Sequence, residues 1–305
     1  MNSERSHDSV LIEAANKAYH RMEAGLYDDS HPEILWCEQK HWKSFLSAYM
    51  LGHDRPIRVL DVGAGTGFLG RMCKDVLIAN DAYVAVDLSN EMLQKLRTSL
   101  TGSSFAVETH VSSASHLPFA DQSFDFVFMN SAVHHFPFVE AALCEASRVL
   151  KKDGIFAVMH EPNIRFSDSF FFRSMARVFS LLAYRFDKPS VGVQRRSDYG
   201  PVFSHVNKEL LSQGFIERPL SESEIQALVD VHSPTARGTY ERVGFDVREW
   251  QRKIFPDWDV LESYSYNFLG KIDPSAFRWR SIVEKFFSLV ASPYGSLFTY
   301  IVRKP

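Results

Sequence analysis

One stretch constrains this chain more than any other: Arg58 to Gly70, reading RVLDVGAGTGFLG. The apolar run Val59, Leu60 and Val62 ends in three alternate glycines, Gly63, Gly65 and Gly67, and helical periodicity begins at Phe68. A buried strand, a tight turn and a helix start, in that order, are the layout of a nucleotide-binding loop in a βαβ unit. Glycine has a mechanical job there. A side chain would keep the backbone from turning sharply and from lying against a ligand, and the amides at the helix start would face whatever sits in the turn.

Two ligand classes fit the spacing. Gly65, Gly67 and Gly70 satisfy the dinucleotide pattern GxGxxG, whereas Asp61 followed by Gly63, Gly65 and Gly67 satisfies the looser DxGxGxG pattern of S-adenosylmethionine (SAM) sites. The loop alone does not choose between them, and the residues that follow must. Phe68 to Ala79 reads as a helix and Ala82 to Asp87 as a strand ending on an acid. Asp87 stands at the second βα turn, where a carboxylate can accept from the two ribose hydroxyls of a nucleoside. Ser89 or Asn90 caps the next helix. Phe105 to Val111 and Phe124 to Met129 are the next strands, Phe138 to Leu150 is a helix closed by KKDG with Gly154 as its breaker, and Ile155 to His160 is a fifth strand. Strand and helix alternating at this pace predict an α/β fold, a doubly wound, mostly parallel sheet whose ligands bind beyond the carboxyl ends of the strands. Gly63, Asp87, Ser113, Asn130 and Glu161 all fall at those ends.

The flanks are helical by spacing. Residues 8–25 and 33–51 precede the first strand, with Pro32 placed for the first turn of the second helix. They are expected to cover the ligand edge of the sheet. The aromatic-rich stretch FSDSFFFRSMARVFSLLAYRFDK is expected to form one or two core or lid helices rather than a membrane-surface helix, because Asp168, Asp187 and the interspersed arginines make no strongly basic face. Ser221 and Glu224 have capping-box spacing, HSPTARG with Pro234 and Gly238 ends that helix, and Val260 to Phe268 and Phe245 to Trp250 compete for the sixth strand. The predicted division is 1–52 helical cover, 53–163 core, 164–239 inserted helical lid and 240–305 C-terminal strands.

Composition excludes several classes. At 305 residues with a net charge of −3, and with acids and bases mixed along the chain, there is no basic stripe of the kind a nucleic-acid partner requires. Cys37, Cys73 and Cys144 lie far apart with no CxxC and no histidine cluster at ligand spacing, so reduced cytoplasmic thiols and no metal are expected. The polar N-terminus lacks the apolar core of a signal peptide. The longest uncharged run, Phe286 to Val302, is interrupted by Pro293 and Gly295, so no stable membrane insertion is expected.

Taken together, VLDVGAGTG, VAVDLS, HLPFADQSFDFVFMNSAVHHF and EASRVLKKDGIFAVMHEPN resemble, in order and spacing, the successive motifs of class I SAM-dependent methyltransferases, nearest in flavour to the ubiquinone/menaquinone-biosynthesis type. The resemblance covers about Leu26 to Pro162 and a terminal strand, Leu297 to Lys304. It implies a Rossmann-like seven-stranded sheet, SAM as methyl donor with S-adenosylhomocysteine (SAH) as product, and a small hydrophobic or aromatic acceptor. It also implies that Asp61 and the loop Gly63, Ala64, Gly65, Thr66 and Gly67 hold the methionine moiety, that Asp87 binds the ribose and that Leu88 packs on the adenine. Ser113 and Ala114 occupy the place where many relatives carry Asp and a small residue, so the acid is missing here. Asn130 and Ser131 are implied beside the methyl group, and Gly70 becomes a helix-packing position. His134, His135, His160 and Glu161 are the candidate proton acceptors. A SAM-binding protein of the same fold without turnover is the alternative function.

Overall fold

The computed structural model describes residues 2–186, 199–232, 244–269 and 280–305. Seven strands, β1 (Arg58–Val62), β2 (Ala82–Asp87), β3 (Ala106–Val111), β4 (Phe124–Asn130), β5 (Leu150–Pro162), β6 (Asp259–Tyr266) and β7 (Leu297–Arg303), form one sheet in the order β3-β2-β1-β4-β5-β7-β6. The first five pair in parallel, and β7 enters antiparallel between β5 and β6. This is the doubly wound, mostly parallel Rossmann-like sheet expected from the alternation. The central strands are largely apolar because both of their faces are covered.

Helices α1 (Asn2–Glu23), α2 (Tyr27–Ser30) and α3 (Pro32–Tyr49) precede the sheet. Within it come α4 (Phe68–Cys73), α5 (Asn90–Ser99) and α6 (Val139–Val149). After β5 follow α7 (Ile164–Asp168), α8 (Phe170–Phe186), α9 (Gly200–Ser212), α10 (Glu222–Val229) and α11 (Val247–Lys253), and α12 (Arg280–Val290) precedes β7. Alternate strand residues face opposite layers. Val59, Ala85 and Phe128 pack with α3, α4 and α5, whereas Leu60, Val84 and Val127 pack with Leu143 and Ala146 of α6 and Trp250 of α11. A third cluster joins Ala15 and Ala18 of α1 to Phe203 and Val206 of α9 and Ile225 of α10. Gly70 packs as expected: a Cβ there would lie 2.6 Å from the Leu100 side chain.

Local signals hold where the partner is local. Pro32 opens α3, Ser89 Oγ accepts from Met92 N at 3.2 Å, and Ser221 with Glu224 forms a full capping box. Three of the differences from the expected elements have a tertiary reason. The helix after the glycine loop stops at Cys73, not Ala79, because the buried Asp81 carboxylate accepts from Ile78 N at 2.7 Å and Ile57 N at 2.9 Å and ties the chain to the start of β1. Gly154 is not a helix breaker: α6 ends at Val149 and β5 begins at once, with Leu150 opposite Phe124 and Asp153 taking the left-handed turn at φ 59°. Phe245 to Trp250 is not a strand, since Asp246 caps α11 by accepting from Arg248 N at 3.0 Å, and β6 takes the sixth position. Pro234, Gly238, Asp187, Phe277 and Trp279 lie outside the described residues.

Candidate active site

The glycine loop is built by β1 and β2 together. Gly63 N and Ala64 N both donate to Val86 O, at 2.8 and 3.0 Å, and Gly63, Gly65 and Gly67 have φ of 73°, 51° and 91°. That left-handed backbone is open to glycine at little cost. A Cβ on Gly63 would fall 2.5 Å from Ala132 Cβ, so the loop after β1 can approach the loop after β4 only because Gly63 has none. A Cβ on Gly65 would meet nothing within 4 Å. It would stand in open space.

That space belongs to a cavity at the carboxyl ends of β1 to β4. From the sequence-predicted set it is lined by Gly63, Gly65, Asp87, Leu88, Ser113 and Ala114, together with Ser131 and His135. A second, smaller cavity shares Gly63 and Gly65 and is lined by Asp61, Ala64, Thr66 and Asn130. Gly67 lines neither. It forms the start of α4.

The acids of the two cavities differ in setting. Asp87 accepts from Gly65 N at 2.9 Å and from Ser89 N at 2.8 Å, which aims its carboxylate along the loop, and burial raises its pKa. Asp61 is buried, accepts from the Tyr83 hydroxyl, and is pushed up to about 7 chiefly by burial. Asn130 Oδ1 accepts from Trp42 Nε1 at 2.7 Å, and Thr66 Oγ1 donates to Asp28 at 2.6 Å.

The four histidine and glutamate candidates separate. His135 lines the larger cavity, and its Nδ1 lies 2.7 Å from Val229 O, which assigns the proton to Nδ1 and a lone pair to Nε2. Burial, and then the neighbouring His134, hold its pKa well below the ordinary histidine range. His134, Glu161 and His160 line neither cavity. Glu161 is fully buried behind the loop after β4, where it accepts from Ala132 N at 2.7 Å, Val133 N at 2.8 Å and His134 N at 3.1 Å, and faces His134 Nδ1 at 2.8 Å. His160 sits on the α3 side of the sheet, 2.6 Å from Glu38 Oε1. Tyr266 donates to the same carboxylate at 2.7 Å. One ligand atom each from His134, His135 and Asp230 lie within 4.8 Å of one another, the one set among the described residues that offers three metal-ligating atoms.

Sequence reasoning missed the residues that α1 and α2 contribute. Glu13, Asn16, His20 and Tyr27 line the larger cavity. Ser113 Oγ donates to Glu13 Oε1 at 2.6 Å, so an acid stands beside Ser113 after all, supplied from α1. Asn16 is buried and its Oδ1 has no partner. His20 lies 5.0 Å, ring to ring, from His135, and its pKa is raised; burial works against this, but the hydrogen bond and charge of Glu23 outweigh it. A signal was available: Glu13, Asn16 and His20 recur at i, i+3 and i+7, a polar line on the face of a helix that also buries Ile12, Ala15 and Ala18.

A glycine loop between β1 and α4, an acid at the end of β2 and a cavity at the carboxyl edge define a Rossmann-like protein built for a nucleoside-containing ligand. Residues 60–158 match the protein-family model described as "Methyltransferase domain". The chain is 39% identical over 102 residues to malonyl-[acyl-carrier protein] O-methyltransferase of Geobacter sulfurreducens, a stretch covering 33% of this chain and 38% of that protein. It is 33% identical over 138 residues to demethylmenaquinone methyltransferase of Tropheryma whipplei, covering 45% and 55%. The chain therefore spans about half the length, or less, of these curated relatives. An S-adenosylmethionine-dependent methyltransferase of known structure from Mesorhizobium loti aligns over 86% of this chain and 96% of its own, with a TM-score of 0.47 at 14% identity. Over residues 60–158 the chain is thus similar to the methyltransferase-domain family, a match that covers about a third of its length. No helix among the described residues is long and apolar enough to cross a membrane.

Proposed function

We propose that this chain moves the methyl group of SAM to a small hydrophobic or aromatic acceptor, leaving SAH. The observation that carries the proposal is the pair of adjoining cavities, one holding Asp87 and the other Asp61, with Gly63 and Gly65 common to both. The residues fit the donor. The open space at Gly65 admits a ligand against bare backbone, and the partnerless Oδ1 of Asn16 offers an acceptor to an amine.

In this reading Asp87 takes the ribose hydroxyls, and Leu88 and Ala114 bracket the adenine. Glu13, held by Ser113, and Asn16 accept from the exocyclic amine of the base. Asp61 and the loop through Ala64 and Thr66 hold the amino-acid end, with Asn130 and Ser131 beside the reacting carbon. When bound, SAM supplies a methyl group already activated for in-line displacement, the sulfur keeping the electron pair of the broken bond. The protein's part is then alignment of the acceptor in a site walled from water, for which Tyr27, Phe136 and Phe138 supply aromatic surface at the cavity. His135 Nε2 takes the proton of an alcohol, amine or carbon acid. Glu161 and His134 act through it, by fixing the loop that carries it.

Isothermal calorimetry with SAM and SAH is the first test, and absence of binding to both defeats the proposal. Asp87→Ala is expected to weaken binding by about tenfold or more, the equivalent of losing one charge-assisted hydrogen-bonding group. Methyl transfer to any member of a metabolite panel then separates an enzyme from a SAM-binding protein without turnover.

A further inference from the structure

The described surface carries one apolar feature that the core does not explain. Helix α8 buries Phe172 and Ala176 and leaves Phe170, Phe171 and Val178 exposed. Phe172 stacks on Tyr294, with ring centroids 5.2 Å apart, and meets Phe287 of α12 at 5.6 Å, so one side of each helix is used up in joining the two. On the other side Phe170 is 78% exposed, and Phe171 and Val178, seven residues apart and therefore on one line of the helix, are each more than half exposed. The outer stripe of α12 is Ile282, Phe286 and Leu289, spaced i, i+4 and i+7, with Ile282 70% and Leu289 82% exposed. Rows of large apolar side chains exposed on a helix commonly mark a site of interaction.

Charge identifies the partner. Helix α8 contains no acidic residue, and its exposed Arg173 and Arg177 stand at i+3 and i+7 from the exposed Phe170, on one line of the helix. On α12 the exposed Lys285 borders the stripe, while Glu284 is turned inward to accept from Phe268 N at 2.9 Å and Leu269 N at 3.0 Å. Of the acids noted in this region, Asp168 ends α7, ahead of the helix. A basic, aromatic-rich surface therefore stands on a chain whose net charge is −3. A second copy of the chain would set Arg173, Arg177 and Lys285 against their equivalents, a like-charge contact that opposes self-association. Apolar stripes flanked by cations are the composition of helices that lie in a membrane interface.

We infer that the outward faces of α8 and α12 dock this protein peripherally on an anionic lipid bilayer. The position is functional. Helix α8 follows the carboxyl end of β5 through α7, and α12 feeds β7 opposite that same end, where Pro162 pairs with Leu297. Both helices thus stand at the edge of the sheet onto which the two cavities open. Docking would stand without methyl transfer, whereas delivery of a hydrophobic acceptor from the bilayer rests on the activity proposed above.

The experiment is co-sedimentation of the full chain with vesicles of phosphatidylglycerol mixed with phosphatidylcholine, and with phosphatidylcholine alone. The protein is expected to pellet with the mixed vesicles, less so at high salt, and Phe171→Ser combined with Leu289→Ser should weaken binding by about tenfold or more. Arg173→Glu with Arg177→Glu and Lys285→Glu should do the same, and serves if the first variant misfolds. Calorimetry with SAM on the same samples separates the two proposals, since vesicle binding without SAM binding leaves docking standing and removes the activity. No pelleting with anionic vesicles, pelleting untouched by either variant, or a dimer that Phe171→Ser with Leu289→Ser dissolves would each overturn the inference.

Discussion

Replacing Glu161 by Ala tests how the loop carrying His134 and His135 is held. Three backbone donors, Ala132 N, Val133 N and His134 N, lose their acceptor, and the first two belong to buried residues. At about 2 kcal/mol for each stranded donor the loss is roughly 6 kcal/mol. Against this, burial raises the Glu161 carboxyl from 4.5 to about 7, so its ionised form costs about 3 kcal/mol at roughly 1.4 kcal/mol per pH unit, and the substitution relieves that cost. The sign follows from linkage. The folded-state pKa is above the unfolded one, so the stability that Glu161 contributes is full below about pH 4.5 and is lost as pH rises through about 7. Glu161→Ala should therefore destabilise by about 3 kcal/mol at pH 8 and by about 6 kcal/mol near pH 4.5, with Glu161→Gln retaining much of the stability but flattening its pH dependence. Urea denaturation followed by circular dichroism at both pH values measures this. A loss below about 1 kcal/mol at both, or one independent of pH, refutes the reasoning.

Other consequences are as direct. Asp61 must be ionised to receive an ammonium group, and burial holds it near about 7, so SAH affinity should rise by about tenfold between pH 6 and pH 8; calorimetry in buffers of different ionisation enthalpy should detect proton release on binding near pH 6.5. Glu13→Ala should weaken SAH by several-fold while leaving thermal stability nearly unchanged, because Glu13 is only partly buried; equal affinity would remove it from the adenine pocket. His135→Gln should lower kcat by about a hundredfold or more for an acceptor that must lose a proton, with SAM affinity preserved, and an unchanged kcat would assign His135 to packing.

Much of the fold was legible because the relevant forces act locally. A strand buried on both faces must be largely apolar, so Val59, Leu60 and Val62, then Val84 to Val86, then Phe124 and Phe126 to Met129 could be read off the chain, and the left-handed turn after β1 needs glycine wherever it occurs. The acid at the end of β2 and the cap at Ser89 follow from the same short-range rules. Element ends were less legible. Whether α4 runs on to Ala79 depends on Asp81 reaching Ile57, and whether Gly154 ends a helix depends on Leu150 finding Phe124.

The glycine loop, the alternation of strands and helices it heads and the residues that follow each strand were set out by the sequence alone, because each is dictated by neighbours a few positions away. The completed cavity was not, since Glu13 meets Ser113 across 100 positions and Asn16 and His20 belong to no motif. Nor was the exposed face of α8. Its apolar residues read equally well as core, and only the packing of Phe172 against Tyr294 and Phe287 decides which side is covered and which is left to face a partner.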